Sequence, residues 1–261
     1  MNFSSSQLCI SPSYRGLHVM SYKSPLVKTY LDAQLRLFGF LLPEWSTLFG
    51  HRFDLHFPLG SSDWDTKSVS RFCDSLIGRV MANPVLSVPF GDHAKPRFIW
   101  AKEQLFSSNH HYHLVVLMDG ELIDSSGSLY SRNWCLKKSI VDAWSSALAL
   151  PVSEACPLVE FVDNGDYIVE LSGSSFLQQL TDLFYRTSYL AKLSTKRYGD
   201  GTRSHSCSRS RPNPEFNLDA YVSLYKRDVY GLEDGQFLYS TESPEFRSIR
   251  GVSASPSAWM I

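Results

Sequence analysis

Residues 97–119, RFIWAKEQLFSSNHHYHLVVLMD, decide the fold. Residues 97–104 and 110–119 each read as a strand, and the polar LFSSN between them predicts an antiparallel hairpin. Side chains alternate along a strand. His111 and His113 therefore share one face, with Cα atoms about 6.5–7 Å apart. Tyr112, Leu114, Val116 and Met118 take the other face and are apolar enough to be core. Glu103 lies on a face with Ile99 and Ala101, across the hairpin from the histidines, whereas His110 faces away from them.

Upstream, HRFDLHF (51–57) alternates strictly, with Phe53, Leu55 and Phe57 on one side and Arg52, Asp54 and His56 on the other, until Pro58 stops it. Apolar residues at helical spacing predict helices over 26–42, ending before Pro43, over 66–82 (Val69, Phe72, Leu76, Ile77, Val80), over 134–149 and over 175–195. Residues 157–171 read as a second hairpin turning at Asn164-Gly165. The order predicts an α+β fold, an antiparallel sheet of about five strands covered by helices. Residues 1–47 read as a flank with one helix and a loose, Ser-rich start, 48–200 as the main domain, and 201–261 as a basic and then irregular tail.

The formal net charge of the 261 residues is −1, so any contact with nucleic acid has to rest on local charge. Such charge exists: between 186 and 211 stand Arg186, Lys192, Lys196, Arg197, Arg203, Arg209 and Arg211 against Asp200 alone. That excess would track a phosphate backbone; the plainer alternative is a solvated tail. Cys9, Cys73, Cys135, Cys156 and Cys207 are scattered and odd in number, which argues against a disulfide framework or a thiolate zinc site. Residues 1–20 lack the charged start, apolar core and cleavage site of a signal peptide, and no run approaches the ~20 apolar residues needed to cross a membrane. A cytoplasmic protein without membrane contact is expected.

Two neutral imidazoles and a carboxylate make a mixed nitrogen and oxygen ligand set suited to Mn²⁺ or Mg²⁺ in nuclease work and also tolerable to Zn²⁺ or Co²⁺. A His-x-His pair alone is more often two surface histidines. Glu103 is the nearest third ligand, and Asp54 and His56 compete with it. On the helix over 175–195, Tyr185, Tyr189, Lys192 and Lys196 fall on one stripe beside the main apolar face. A tyrosine oxygen can attack a phosphodiester. Its pKa is ordinarily about 10, so Lys192, one turn on, would help stabilise its charge. The bland alternative is a surface stripe of Tyr and Lys.

Taken together, RFDLHFP (52–58), EQLFSSNHHYH (103–113) and YLAK (189–192) resemble, in that order, the motifs of the HUH endonucleases, which include rolling-circle replication initiators. The wording, with HYHLVVLMDG and SYLAKLSTK, is similar to the YagK/YfjJ-type, replication-initiator-like proteins of filamentous phages (inoviruses) and prophages. The resemblance covers about residues 50–200. It implies a five-stranded antiparallel sheet with the histidines on a central strand, a divalent metal (Mn²⁺ or Mg²⁺) on His111, His113 and Glu103, and a 5′-phosphotyrosine intermediate. Tyr189 is the implied nucleophile, with Lys192 beside it; Tyr185 stays open as a second nucleophile or a stacking residue. The expected substrate is single-stranded DNA at a replication origin, contacted by Arg186, Lys196, Arg197 and Arg203, with a host helicase and polymerase as partners in a bacterial cell. The alternatives are a non-catalytic DNA-binding prophage protein on the same fold, and an unrelated metal hydrolase using His111, His113 and Glu103.

Overall fold

The computed structural model describes residues 3–60, 67–84, 95–104, 110–121, 129–196, 198, 201–211 and 213–232. Five strands form one antiparallel sheet: β5 (Thr47–Leu55), β6 (Arg97–Glu103), β7 (His111–Asp119), β8 (Val159–Glu170) and β9 (His205–Cys207), in the order β8-β5-β7-β6-β9. The α+β fold and the antiparallel sheet are as the sequence predicts. The histidine strand, β7, is central.

Helices cover both faces. On one, α2 (Ser68–Ala82) and α3 (Leu129–Leu148) pack Val69, Phe72, Leu76, Ile140 and Trp144 against Phe53, Leu55, Tyr112, Leu114, Val116 and Met118. On the other, α1 (Lys28–Trp45), α5 (Phe176–Ser188) and α6 (Leu218–Tyr230) pack Leu31, Phe38, Leu180, Leu183, Phe184 and Val222 against Leu48, Ile99, Val115 and Leu117. A short helix, α4 (Val152–Ala155), leads toward β8. Among the described residues no helix is long and apolar enough to cross a membrane, and all five cysteines are free thiols.

The structure corrects the sequence reading in four places. Residues 1–25 are not loose: among those described, β1 (Leu8–Cys9) pairs with β4 (Leu26–Val27), and β2 (Ser13–Tyr14) with β3 (Leu17–His18). Burial of Cys9, Leu17, Val19 and Leu26 against α1 and α5 holds them. Helix α1 runs through Pro43 to Trp45, because proline in the last turn forfeits little further hydrogen bonding.

Asn164-Gly165 is no hairpin turn. Residues on either side of it both pair with β5, Phe161 with Phe53 and Asp166 with His51, so 162–165 bulge out of a single strand opposite Arg52. Asn164 takes φ +50°, and a Cβ on Gly165 would lie 2.8 Å from the Arg52 carbonyl oxygen. Finally, residues from 201 onward are not all tail. β9 pairs with β6, and α6 joins the α1/α5 core, capped by Asn217, whose side chain accepts from Ala220 N at 3.1 Å.

Candidate metal and nucleophile site

The site grows from strand register. In β7, His113 stands opposite Asp54 of β5 and Ala101 of β6, while His111 stands opposite Glu103. Register thus brings Asp54, His111, His113 and Glu103 onto the face that carries Val115 and Leu117 further along. His113 Nε2 lies 3.2 Å from His111 Nε2 and 3.2 Å from Glu103 Oε2. One ligand atom from each of these three residues lies within 4.8 Å of the others. On its far side, His113 Nδ1 lies 2.7 Å from Asp54 Oδ1. That hydrogen bond, donated by Nδ1–H, turns the Nε2 lone pair toward the ligand cluster, the arrangement that supports metal-binding histidines. The donor set and its support fit a divalent cation.

Asp54 does not compete for that position. It is held by Arg52, which is itself buried and reaches within 2.8 Å of His113 Nδ1. His56 stacks on His111 with ring centroids 5.5 Å apart, and its Nε2 lies 3.3 Å from Glu160. Asp54, His56 and Glu160 also cluster within 4.8 Å, beside the first group. Trp144 Nε1 donates to the His56 carbonyl at 2.9 Å, tying α3 to this end of β5.

Tyr189 and Lys192 enter from the end of α5. The α-helix stops at Ser188, and Tyr189–Ala191 form a 3₁₀ turn, where side chains three apart eclipse one another. Lys192 accordingly lies over the Tyr189 ring, 3.8 Å from its centroid, and its ammonium donates to the phenol oxygen. The same ammonium is 2.7 Å from Glu103 Oε2. The Tyr189 ring meets His113 edge-on, centroids 5.5 Å apart. Lys196 Nζ is 3.4 Å from Glu103 Oε1, and the Thr195 hydroxyl donates to Oε2 at 2.8 Å. Thr195 holds φ +70°, a strained conformation for a β-branched residue that the surrounding bonds sustain.

Burial sets the protonation states. It pushes the Tyr189 phenol up, and Glu103 adds to this. It pushes His111 down to about 3, with the charge of His113 next in size. Burial also opposes charge on His113, but Asp54 and Glu103 together outweigh it and raise that imidazole above its usual range. Desolvation would raise both carboxylates; Arg52 and His113 hold Asp54 down, and His113 and the two lysines hold Glu103 down. Lys192 is lowered and Lys196 falls to about 8, in each case through desolvation that Glu103 only partly offsets.

The family described as the YagK/YfjJ C-terminal domain matches residues 11–208. The chain belongs to that family. It is 28% identical over 172 residues to the uncharacterized protein YfjJ of Escherichia coli (strain K12), covering 60% of this chain and 83% of the relative. It is 29% identical over 206 residues to the uncharacterized protein YagK of the same organism, covering 74% and 95%. No solved structure matches. The YagK/YfjJ match begins after β1 and takes in the β2/β3 pair, every strand of the sheet and the site.

Within this YagK/YfjJ domain, the residues read from sequence divide in two. His111, His113, Glu103, Tyr189 and Lys192 converge. Tyr185 is buried, 3% exposed, against Met20, with Tyr189 packed on the pair, so its ring offers no exposed stacking face. Three of the four residues expected to contact DNA are described. Arg186 is buried and donates to Tyr167 Oη at 2.6 Å and to the Asp163 carbonyl at 3.4 Å, bracing the β8 bulge. Lys196 belongs to the site, because the chain turns at Lys192 rather than continuing as a helix. Arg203 is exposed and lines a groove of about 520 Å³ with Trp100, Lys102 and Arg209. Arg197 lies outside the described residues. Sequence reading placed Arg52 on the correct face without a role, and missed Thr195. The Arg-x-Asp alternation pointing at the histidine face was the available signal for Arg52; nothing local marks Thr195.

Proposed function

We propose that this domain is an HUH-type, site- and strand-specific DNA nicking and joining enzyme that initiates rolling-circle replication of a filamentous phage or prophage. The observation that carries the reading is the convergence of the Tyr189 phenol and the Lys192 ammonium on the His111–His113–Glu103 cluster. Charge supports it. The buried groups here include three cations, Arg52, Lys192 and Lys196, and two carboxylates, Asp54 and Glu103. The excess suits a phosphate, whose charge would balance it.

In this reaction the Tyr189 oxygen attacks the scissile phosphorus and the bond to the 3′ oxygen breaks. A 5′-phosphotyrosine forms, the phenol proton passes to the departing oxygen, and a 3′-hydroxyl is released. Lys192 meets the charge developing on the phenol oxygen, which burial otherwise disfavours. Arg52 and Asp54 hold the His113 ring. A divalent ion such as Mn²⁺ or Mg²⁺, held by His111, His113 and Glu103, would supply Lewis acidity toward the phosphate. Rejoining is the reverse, with a 3′-hydroxyl attacking the phosphotyrosine, so no nucleotide cofactor enters. Origin DNA, a host helicase and a host polymerase would be the partners, in the cytoplasm of a bacterial host.

The test is incubation of the full chain with Mn²⁺ and labelled single-stranded DNA from the parent element, followed by denaturing electrophoresis. A covalent adduct that needs the metal and disappears in Tyr189→Phe is expected. An undiminished adduct in Tyr189→Phe would remove the assigned nucleophile; DNA binding without adduct, indifferent to chelation, would favour the non-catalytic reading.

A further inference from the structure

A segment without a role in that reaction runs alongside the nucleophile. Met20 N donates to Ser188 Oγ at 2.9 Å, Leu26 bridges to Lys192, Leu193 N donates to the Pro25 carbonyl at 2.8 Å, and Ser194 N donates to Ser24 Oγ at 3.0 Å. Residues 20–26 are therefore laced along 188–194. The lacing fixes the short helical turn Ser21–Lys23 next to Tyr189. Met20 is buried there against Tyr185 and Tyr189. Its neighbour Tyr22 is not: the residue is 47% exposed, and the Lys23 ammonium sits 5.3 Å from its ring centroid.

Single exposed aromatics are ordinary on a protein surface. This one is held on a tethered turn, beside a nucleophile that sits among buried cations. We propose that Tyr22 is a stacking platform for an unpaired base of single-stranded DNA next to the scissile phosphate, with Lys23 meeting a neighbouring phosphate. The proposal rests on the nicking reading for its substrate. Aromatic rings accept any base face, so the platform favours single strands irrespective of sequence, whereas bases in a duplex are already stacked.

The experiment measures fluorescence anisotropy of the Tyr189→Phe chain, alone and combined with Tyr22→Ala or Tyr22→Trp. The probes are fluorescein-labelled dT20, an abasic strand of equal length and a 20-base-pair duplex. Tyr22→Ala should weaken dT20 binding about fivefold to a hundredfold, Tyr22→Trp should restore it, and the abasic strand and duplex should not respond. Equal binding of dT20 by both proteins overturns the platform. So does a loss that persists on the abasic strand, which would mark a charge or folding effect. Adduct formation by chains that retain Tyr189 is scored in parallel. An adduct with Tyr22→Ala silent sinks the platform alone, a Tyr22-dependent loss without any adduct sinks the nicking reading alone, and no single-strand binding sinks both.

Discussion

On the α2/α3 face of the sheet, β7 contributes Tyr112, Leu114, Val116 and Met118, all buried among apolar neighbours. On the α1/α5 face the same strand contributes Val115 and Leu117 to a second core, and then, over its first turns of register, His111 and His113 to a cluster of charges. One face is a continuous source of stability. The other spends half its length on groups that cost desolvation and are tolerated because Asp54 and Glu103 are paired with Arg52, His113 and the two lysines. The apolar face is thus the rigid backing that lets the charged end keep its geometry.

The division of labour can be broken at either side. The largest effect is expected from Tyr189→Phe: adduct formation should drop about a thousandfold or more while the melting temperature stays close to wild type. His111→Ala should lower adduct yield about a hundredfold and weaken Mn²⁺ binding measured by calorimetry; the fold should survive, since β7 keeps its other buried side chains. On the opposite face, Leu114→Ala should cost about 2–5 kcal/mol in urea unfolding and leave the nicking rate per folded molecule nearly unchanged. If that rate collapsed instead, the two faces would not be separable.

A fourth test uses pH. His113 without metal keeps its proton to a pH above the usual imidazole range. A cation must displace that proton, so Mn²⁺ affinity should rise with pH, by up to about tenfold per unit, and level off once the raised pKa is passed. The stability of the metal-free protein should move oppositely. The contribution of protonated His113 is complete below about pH 6.5 and is lost as pH climbs through the raised value, which thermal melts in chelator would record. The smallest change is expected for Lys196→Met. Removing one of two ammonium groups from Glu103 leaves the carboxylate paired with Lys192, so stability should change little and adduct yield should fall only several-fold.

What was legible in the sequence was what two-residue alternation dictates: the β6/β7 hairpin, the shared face of His111, His113 and Glu103, and the apolar set opposite. Tyr189 and Lys192 were legible because three-residue spacing brings side chains together in a 3₁₀ turn almost as in an α-helix. Lys196 was read onto the same stripe and as a DNA contact, but its place on Glu103 was not legible, since helical spacing says nothing once the chain turns. The β8 bulge looks like a hairpin because Asn-Gly supplies the same backbone conformation in either setting, and only the partner strand distinguishes them. The three residues of β9 are too few to show periodicity. The place of residues 8–27 depends on contacts far along the chain that no local pattern reports.

Those contacts have a consequence for assembly. Met20 and Ser188 are 168 positions apart, and Ser24 and Ser194 are 170 apart. The turn bearing Tyr189 is therefore closed by some of the most distant pairings among the described residues, which carry a high loop-closure cost. A chain emerging from the ribosome, or one cut after residue 26, would own its histidines and its tyrosine without owning the geometry between them.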